Sequence, residues 1–541
     1  MTENYLNILA ETIRNNWDQP ALTDFYLTED GTAQDTSRGN HYTYGEMYAE
    51  LCRVADLLTN LGLKKGDHIA ICGANSAHWV IAYLAIAKMQ GVSVTVMHSL
   101  MPDEIARLVD FSDAKALFTD EDIWRELKSL PLPQVENIIS LENFESLASG
   151  TSIIVSSASC PSSVSSVSSA SSETSASSAS IVSFPQSNPD DLATICFTSG
   201  TTGRAKGVML PYRSFSLNIS AKREVLSHFK QYGTHFCSFL PFGHIFGLME
   251  DCMRVLTGGM HCYILQISNS PKNLFTCYKL IQPMYITMVP QLLELFINYV
   301  DKYPITQQKS FIEITLGRNL KELIIGGASL SRNQLQHIIE MGIPLATCYG
   351  ITECGPTIAF ALSYEYKLGT SGIVINELTL RISPAGEILV KGENVMLGYY
   401  KDPEATARKI DSDGWLHTGD KGHLDEDGYL YVEGRLEQDI IVLPNGENIR
   451  PDNIEALINA LPEVSESIVL ARDGKLVAIV VVDSQISNVK CQISNPADLR
   501  RHILRTVNPL LPLYSQLYDV EITSTPLAKT EKQTLKRYLY K

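Results

Sequence analysis

The run Thr198-Ser-Gly-Thr-Thr-Gly-Arg-Ala-Lys206-Gly-Val208 places three glycines, four hydroxyl side chains and a lysine within eleven positions. Such a loop is rich in backbone N–H groups and short donors. A polyphosphate needs that chemistry, because it is held by close backbone approach and many donors rather than by one strong cation. A P-loop would end in Gly-Lys-Ser/Thr, whereas here the order is Ala205-Lys206-Gly207, so that pattern fails. An uninvolved Gly/Ser/Thr linker would not need the buried apolar strand, Ala193 to Phe197, that precedes this run. An amphipathic segment opens soon after Pro211, so the run is read as a loop between strand and helix.

The elements that must carry this loop alternate. Tyr44 to Leu61 has helical spacing, His68 to Cys72 reads as a strand and Ala77 to Met89 as an apolar helix. A strand Val92 to Val96, a helix from Asp103 and a strand Ala116 to Phe118 follow. Alternation of this kind implies a parallel sheet in an α/β domain. Residues 151–183 break the pattern. They are mostly Ser and Ala, without periodicity, and predict a disordered insertion. Further on, Leu323 to Ser329 is a strand ending in a glycine pair, and Ala346 to Glu353 a strand entering a polar loop. Glu387 to Lys391 and Tyr429 to Val432 are strands of a β-rich stretch. Beyond Gly434-Arg435 a small α/β segment begins, with a helix from Asp452, strands Ser467 to Ala471 and Leu476 to Val482 around an Asp473-Gly474 turn, and a helix from Ala497. The expected fold is therefore α/β, with a large N-terminal domain over 1–434 and a small C-terminal domain over 435–541.

With 541 residues the chain exceeds one core, and a net charge of −16 argues against nucleic acid as a partner. No apolar run is long enough to span a bilayer, and Met1 to Trp17 lacks a signal-like apolar core. The 11 cysteines are scattered without any Cys-x-x-Cys pair, which reads as reduced thiols in a cytoplasmic protein. Peripheral contact with the inner face of a membrane stays compatible with this composition.

The 198–208 run closely resembles the phosphate loop of the AMP-forming adenylating enzymes, and further segments resemble that family's motifs in the family's order. The resemblance implies nucleotide contacts from Thr198, Ser199, Gly200, Thr201, Thr202, Gly203 and Lys206. Gly326-Gly-Ala-Ser329 resembles the adenine-contacting turn, which assigns Gly327, Ala328 and Ser329 to the base. Tyr349-Gly350-Ile-Thr352-Glu353 resembles the segment whose ring stacks on adenine, whose Thr meets phosphate and whose Glu binds Mg²⁺. One carboxylate plus substrate phosphates is a common magnesium arrangement. Gly414 to Asp420 resembles the segment whose aspartate, here Asp420, holds both ribose hydroxyls, and Arg435 matches an arginine that contacts ribose and phosphate. Gly386 to Gly392 and Met396 to Lys401 match a structural motif.

For the acid, Leu240-Pro-Phe-Gly-His244-Ile-Phe-Gly247 resembles the segment whose histidine borders the carboxylate in fatty acyl-CoA synthetases. Leu248 to Leu256 supplies Met, Val and Leu, with no charge placed like the aspartate that amino-acid-activating relatives direct at an α-amine. An acyl tunnel is expected, and the C-terminal Pro526 to Thr530 and Tyr538 to Tyr540 look most like long-chain synthetases. The resemblance implies ATP-dependent ligation of a fatty acid to coenzyme A through an acyl-adenylate, with His244, Thr352 and Glu353 at the reacting groups and a mobile small domain. Transfer to an acyl carrier protein is the alternative acceptor. Two departures from the family pattern stand out. Glu437-Gln438 occupy the hinge positions where Lys and Asp or Asn are usual, and Thr534 falls where the catalytic lysine is counted. Those departures motivate a further alternative, a weakly active adenylate-binding relative.

Overall fold

The computed structural model describes residues 2–147, 182–198, 205–221, 233–267, 271–326, 332–436, 441–442, 448–449, 451–472, 475–482, 496–511, 515–529, 535 and 537–540. The chain forms two compact units, Met1–Gly434 and Arg435–Lys541.

In the large unit, a seven-stranded sheet runs in the order Gly398–Tyr399, Lys206–Pro211, Leu192–Thr198, Val92–Thr95, His68–Cys72, Ala116–Thr119, Asn137–Ser140. Its strands from Leu192–Thr198 to Asn137–Ser140 pair in parallel. The alternation read between residues 43 and 140 accounts for this part. The helix Tyr44–Asn60 starts at a capping box in which Thr43 and Glu46 satisfy each other's backbone N–H groups. The helix Ala77–Lys88 is apolar all round and is buried along its whole length up to Ala87, as such a helix must be. It carries two later parts of the molecule. The Tyr83 hydroxyl meets Thr194 Oγ1 at 2.9 Å, and the Trp79 ring packs on Phe242 at 5.4 Å between centroids. Truncating Trp79 to alanine would cost about 3–5 kcal/mol, the usual range for a buried tryptophan.

The second sheet has 13 strands. Pro20–Phe25, His261–Leu265, His235–Ser238, Tyr285–Met288, Glu322–Ile325 and Leu345–Gly350 pair in parallel. Beyond Leu345–Gly350 the pairing becomes antiparallel, through Thr357–Ala361, Gly372–Val374 and Tyr429–Arg435. The C-terminal ends of parallel strands at a change of topology are where open α/β sheets bind ligands, and Gly326 and Tyr349 stand there.

The small unit contains a three-stranded sheet of Val464–Arg472, Lys475–Val482 and Asp519–Thr523. The helices Pro451–Asn459 and Pro496–Val507 pack their apolar faces, including Ile458, Leu499 and Ile503, into its core.

Two sequence readings change. The loop after Thr198 does not lead from strand to helix. Lys206–Pro211 is itself a strand, antiparallel to Leu192–Thr198, and the helix Tyr212–Ser220 starts only after it. The apolar alternation of Val208, Leu210 and Tyr212, all buried, is a period-two signal hidden beside the glycines. The Ser-rich insertion, expected to reach residue 183, lies outside the described residues up to 181. Val182 is already buried, and the Ser183 carbonyl accepts from Tyr48 at 3.0 Å, so packed chain resumes before the expected end. The Asp473-Gly474 turn is also outside the described residues. Among the described residues no helix is long and apolar enough to cross a membrane, and the nine cysteines are free thiols.

Candidate active site

The hairpin that replaces the strand-to-helix turn fixes both ends of the candidate phosphate loop. Thr198 and Lys206 are register partners. Ser199, Gly200, Thr201, Thr202 and Gly203 lie outside the described residues. Lys206 projects over the Tyr399 ring, with its ammonium 4.8 Å from the centroid. A cation so placed is held by the ring's negative face, for about 0.5–2 kcal/mol. Tyr399 in turn donates its hydroxyl to Glu353 Oε1 at 2.6 Å. The backbone supports the same junction. Gly398–Tyr399 pairs with Met209 and Val208, Tyr400 N–H donates to Gly207 O at 2.7 Å, and Met396 N–H donates to Glu353 O at 2.9 Å. The loop's lysine and the candidate metal carboxylate are thus joined through one phenol.

Glu353 sits on a single 3₁₀ turn, Thr352–Cys354, that closes the hairpin of Leu345–Gly350 and Thr357–Ala361. A short polar turn has few contacts of its own, and here it is clamped from the helix Tyr212–Ser220. Asn218, fully enclosed, donates through Nδ2 to Cys354 O at 3.1 Å and to Ser214 O at 2.8 Å. Its Oδ1 accepts from Thr357 N–H at 2.8 Å. Ser214 Oγ donates to Asn394 O at 2.8 Å, and Asn394 Nδ2 donates to Thr357 O at 2.9 Å. Gly355 adopts the left-handed conformation at φ +60°, and a Cβ there would meet Ser214 Oγ at 2.0 Å. Only glycine fits both the angle and the space. Thr352 is buried, and its carbonyl caps the turn by accepting from Gly355 N–H at 3.0 Å.

Tyr349 and Asp420, read from separate motifs, are in direct contact. The Tyr349 hydroxyl donates to Asp420 Oδ2 at 2.6 Å. Burial, and then the negative charge of Asp420, push this phenol well above its ordinary pKa, so it stays a donor. Asp420 is itself buried, its N–H donating to Thr418 Oγ1 at 3.0 Å. Gly350 pairs with Thr357, and a Cβ on it would lie 2.1 Å from Pro356 O. Of the adenine turn, Gly326 is described, and Gly327, Ala328 and Ser329 lie outside the described residues. A Cβ at Gly326 would meet Cys348 Sγ and the Phe246 ring, each at 2.7 Å. Arg435 is exposed at the start of the small unit. Glu437, Gln438 and Thr534 lie outside the described residues.

His244 stands on a turn pinned from three sides. Asn75 donates to Leu240 O at 2.7 Å and accepts from Phe242 N–H at 2.8 Å. Asp251 accepts from the N–H groups of Phe239 and Leu240, each at 3.0 Å. A Cβ on Gly247 would lie 2.2 Å from Pro241 O. The ring Nδ1 of His244 accepts from Phe246 N–H at 3.2 Å, which leaves the proton of the neutral ring on Nε2. The segment after it is not the apolar wall expected from its Met, Val and Leu. Glu250, Asp251 and Arg254 are buried in it, with relative exposures of 0, 0 and 4%. Burial drives the Asp251 carboxyl up to about 7, against its three hydrogen-bond donors.

Sequence reasoning missed Asn75, Ser214, Asn218, Asp251 and Asn394, all of which act on backbone groups of the site. The signal available was a short polar side chain in a helix interior, as at Ser214 and Asn218 in Tyr212–Ser220. Such residues disfavour helix interiors unless they serve a partner.

Comparison with known proteins gives the family. The AMP-binding enzyme model matches residues 9–400 and the AMP-binding enzyme C-terminal domain model matches residues 438–540. The chain belongs to the AMP-binding enzymes. It is 28% identical to 4-coumarate–CoA ligase 4 of Arabidopsis thaliana, over 81% of this chain and 76% of that one. It is 24% identical to 4-coumarate–CoA ligase 3 of Oryza sativa subsp. japonica, over 93% and 88%. Among solved structures, ATP-bound MatB from Rhodopseudomonas palustris superposes with TM-score 0.74 at 21% identity, covering 100% and 98% of the two chains. The o-succinylbenzoate CoA synthetase of Bacillus subtilis in complex with its acyl-adenylate does so at 0.74 and 22%, covering 99% and 98%. At these identities the structures speak to the fold alone, and it is the mixed α/β fold with a large and a small domain. The resemblance therefore holds for the AMP-binding enzymes as a group, and the relatives named do not single out long-chain fatty acyl-CoA synthetases.

Proposed function

We propose that the protein is an AMP-forming acid–CoA ligase that activates a compact carboxylic acid as its acyl-adenylate. The observation that carries this reading is the junction Lys206–Tyr399–Glu353, which couples the phosphate hairpin to the carboxylate turn. In this reading Thr198, Ser199, Gly200, Thr201, Thr202, Gly203 and Lys206 cradle the triphosphate. Tyr349, Gly350 and the 327–329 turn face the base, Asp420 and Arg435 the ribose, and Thr352 the α-phosphate. Glu353 fits a magnesium ion, since its one carboxylate is backed by substrate phosphates. Among the described residues no group of three or more His, Cys, Asp or Glu is arranged for a metal, so the remaining ligands would be phosphate oxygens and water. When bound, such an ion supplies charge neutralisation at the phosphates.

The chain's own part is positioning and electrostatics. The acid carboxylate is aligned beside His244, whose Nε2 proton offers a hydrogen bond. Its oxygen attacks the α-phosphorus, the bond to the bridging oxygen breaks, and pyrophosphate leaves toward Lys206. The thiol of CoA then attacks the acyl carbon and AMP departs. The relatives' names support CoA as acceptor, with a carrier-protein thiol as the rival. Support for a compact acid rather than the fatty acid expected from the sequence comes from the charged residues buried just past His244.

Pyrophosphate release from ATP with 4-coumarate, octanoate or palmitate, with and without CoA, tests the reading. Acid-dependent release with thioester formed only when CoA is present supports it. Release without any thioester would favour the carrier-protein or weak-relative alternatives, and no acid-dependent release would refute it.

A further inference from the structure

Tyr399 is buried on the two-residue strand Gly398–Tyr399, and neighbours on both sides fix its place. On one side the strand pairs with Met209 and Val208 of the hairpin, and Tyr399 N–H donates to Thr406 Oγ1 at 2.8 Å. Gly398 is held at φ +141°, and a Cβ there would meet Thr406 Cγ2 at 2.7 Å. On the other side Asp113 straps the chain down. Its Oδ2 accepts from the Tyr400 hydroxyl and its Oδ1 from Lys401 Nζ, each at 2.7 Å. Asp113 and Lys401 both adopt positive φ, +54° and +56°. Such conformations persist in residues other than glycine where the surroundings over-determine them.

A ring so anchored serves two charged side chains at once. Tyr399 and Lys206 line a cavity of about 760 Å³, which Arg107, Phe111 and Lys401 also border. The Lys206 ammonium lies 4.8 Å from the ring centroid, and the Tyr399 hydroxyl donates to Glu353 Oε1 at 2.6 Å. A phenol that occupies one carboxylate oxygen leaves the other for a cation. A ring face that holds an ammonium removes in advance part of the rotamer freedom a lysine loses on binding.

We propose, resting on the ligase reading above, that Tyr399 is a positioning residue for both charges that meet the triphosphate. Its hydroxyl orients Glu353 for the metal, and its ring preorganises Lys206 for the phosphates. The two contacts use different parts of the side chain, so each can be removed by itself.

The test is ATP binding to the full chain by calorimetry, once in EDTA and once in saturating Mg²⁺, with the thermal midpoint as the check on folding. Tyr399→Phe keeps the ring and removes the hydroxyl. Its affinity in EDTA should stay within about twofold of wild type, whereas the tightening that Mg²⁺ gives should shrink about tenfold, as expected for a lost hydrogen bond to a charged group. Tyr399→Met removes the ring as well and should weaken binding in EDTA by about threefold or more. Tyr399→Leu takes its place if the Met variant fails to fold. In a Glu353→Gln background, Tyr399→Phe should change the Mg²⁺ effect no further, because the partner is already gone. A tyrosine needed only for packing would lower the midpoint and weaken ATP equally in both conditions. That result overturns the inference, as does a folded Tyr399→Phe with the wild-type Mg²⁺ effect or a ringless variant that binds ATP in EDTA as well as wild type. Wild type that binds no ATP would instead strike the ligase reading, and this inference with it.

Discussion

Replacing Asn218 with alanine should disturb metal use from a distance. The side chain makes three hydrogen bonds, and two of them satisfy the Cys354 carbonyl and the Thr357 N–H on either side of Gly355-Pro356. Asn218 is 2% exposed, so water does not replace what is removed. Leaving one buried acceptor and one buried donor unpaired costs about 1–3 kcal/mol each, for a total of about 2–6 kcal/mol. Part of that cost should be relieved by letting the Thr352–Cys354 turn move, and Glu353 moves with it. The assay pairs a urea-unfolding midpoint with a Mg²⁺ titration of acid-dependent pyrophosphate release. Both should change: a lower midpoint, and a severalfold higher Mg²⁺ requirement with an unchanged KM for the acid. Asn218→Asp should do no better, because its carboxylate still accepts from Thr357 but turns an oxygen on the Cys354 carbonyl. A lower midpoint with an unshifted Mg²⁺ curve would refute the positioning argument, and an unchanged midpoint would refute the clamp itself.

Other perturbations act on single groups. Glu353→Gln keeps size and loses the charge, so adenylation should be abolished with the fold intact, and near-normal turnover at limiting Mg²⁺ would contradict the assignment. His261 is driven down to about 4 by burial and by the neighbouring His235 and His41. The unfolded chain therefore takes up a proton first as pH falls from about 6.5 toward 4. Stability should be unaffected above that window and decline through it by at most about 3 kcal/mol. His261→Gln should flatten the decline in urea midpoints between pH 7.5 and 5, and an equal slope in both proteins would remove His261 as its cause. Thr534→Lys should speed acyl-adenylate formation on the order of hundreds-fold and leave thioester formation from supplied acyl-AMP nearly unchanged. Full-speed adenylation by the wild type would show the lysine is not needed.

What could be read before any coordinates was whatever repeats locally. Strand and helix alternation from Tyr44 to Thr119 follows from periodicity, and the Lys206, Glu353, Tyr349 and Asp420 segments stood out by their motifs. The strand Lys206–Pro211 escaped because its alternation starts beside glycines that read as loop. The residues that hold the site in place escaped for a different reason. Asn218 contacts residues 136 and 139 positions away, and Asn75 contacts residues more than 160 positions away. A short polar residue inside a helix marks that a partner exists, and nothing local names it. Glu250 and Arg254 were visible as an i, i+4 pair, but only burial distinguishes an interior pair from a solvated one.

The parallel pairing of Pro20–Phe25 with His261–Leu265 has a consequence for biosynthesis. Leu22 and Phe25 leave the ribosome some 240 residues ahead of their strand partners Cys262 and Leu265, roughly 10–50 s at ordinary elongation rates. The first helix waits as well, since Tyr5 N–H donates to Ser216 Oγ and Thr12 Oγ1 to Thr257 O. During that interval the strand has its antiparallel partner His41–Thr43 on one edge, while its other edge and the face of the first helix that meets Ser216 and Thr257 stay uncovered. Uncovered strand edges and apolar faces of this kind make a nascent chain prone to aggregate. Slowing translation before residue 265 should raise aggregation, whereas slowing it after that point should matter far less.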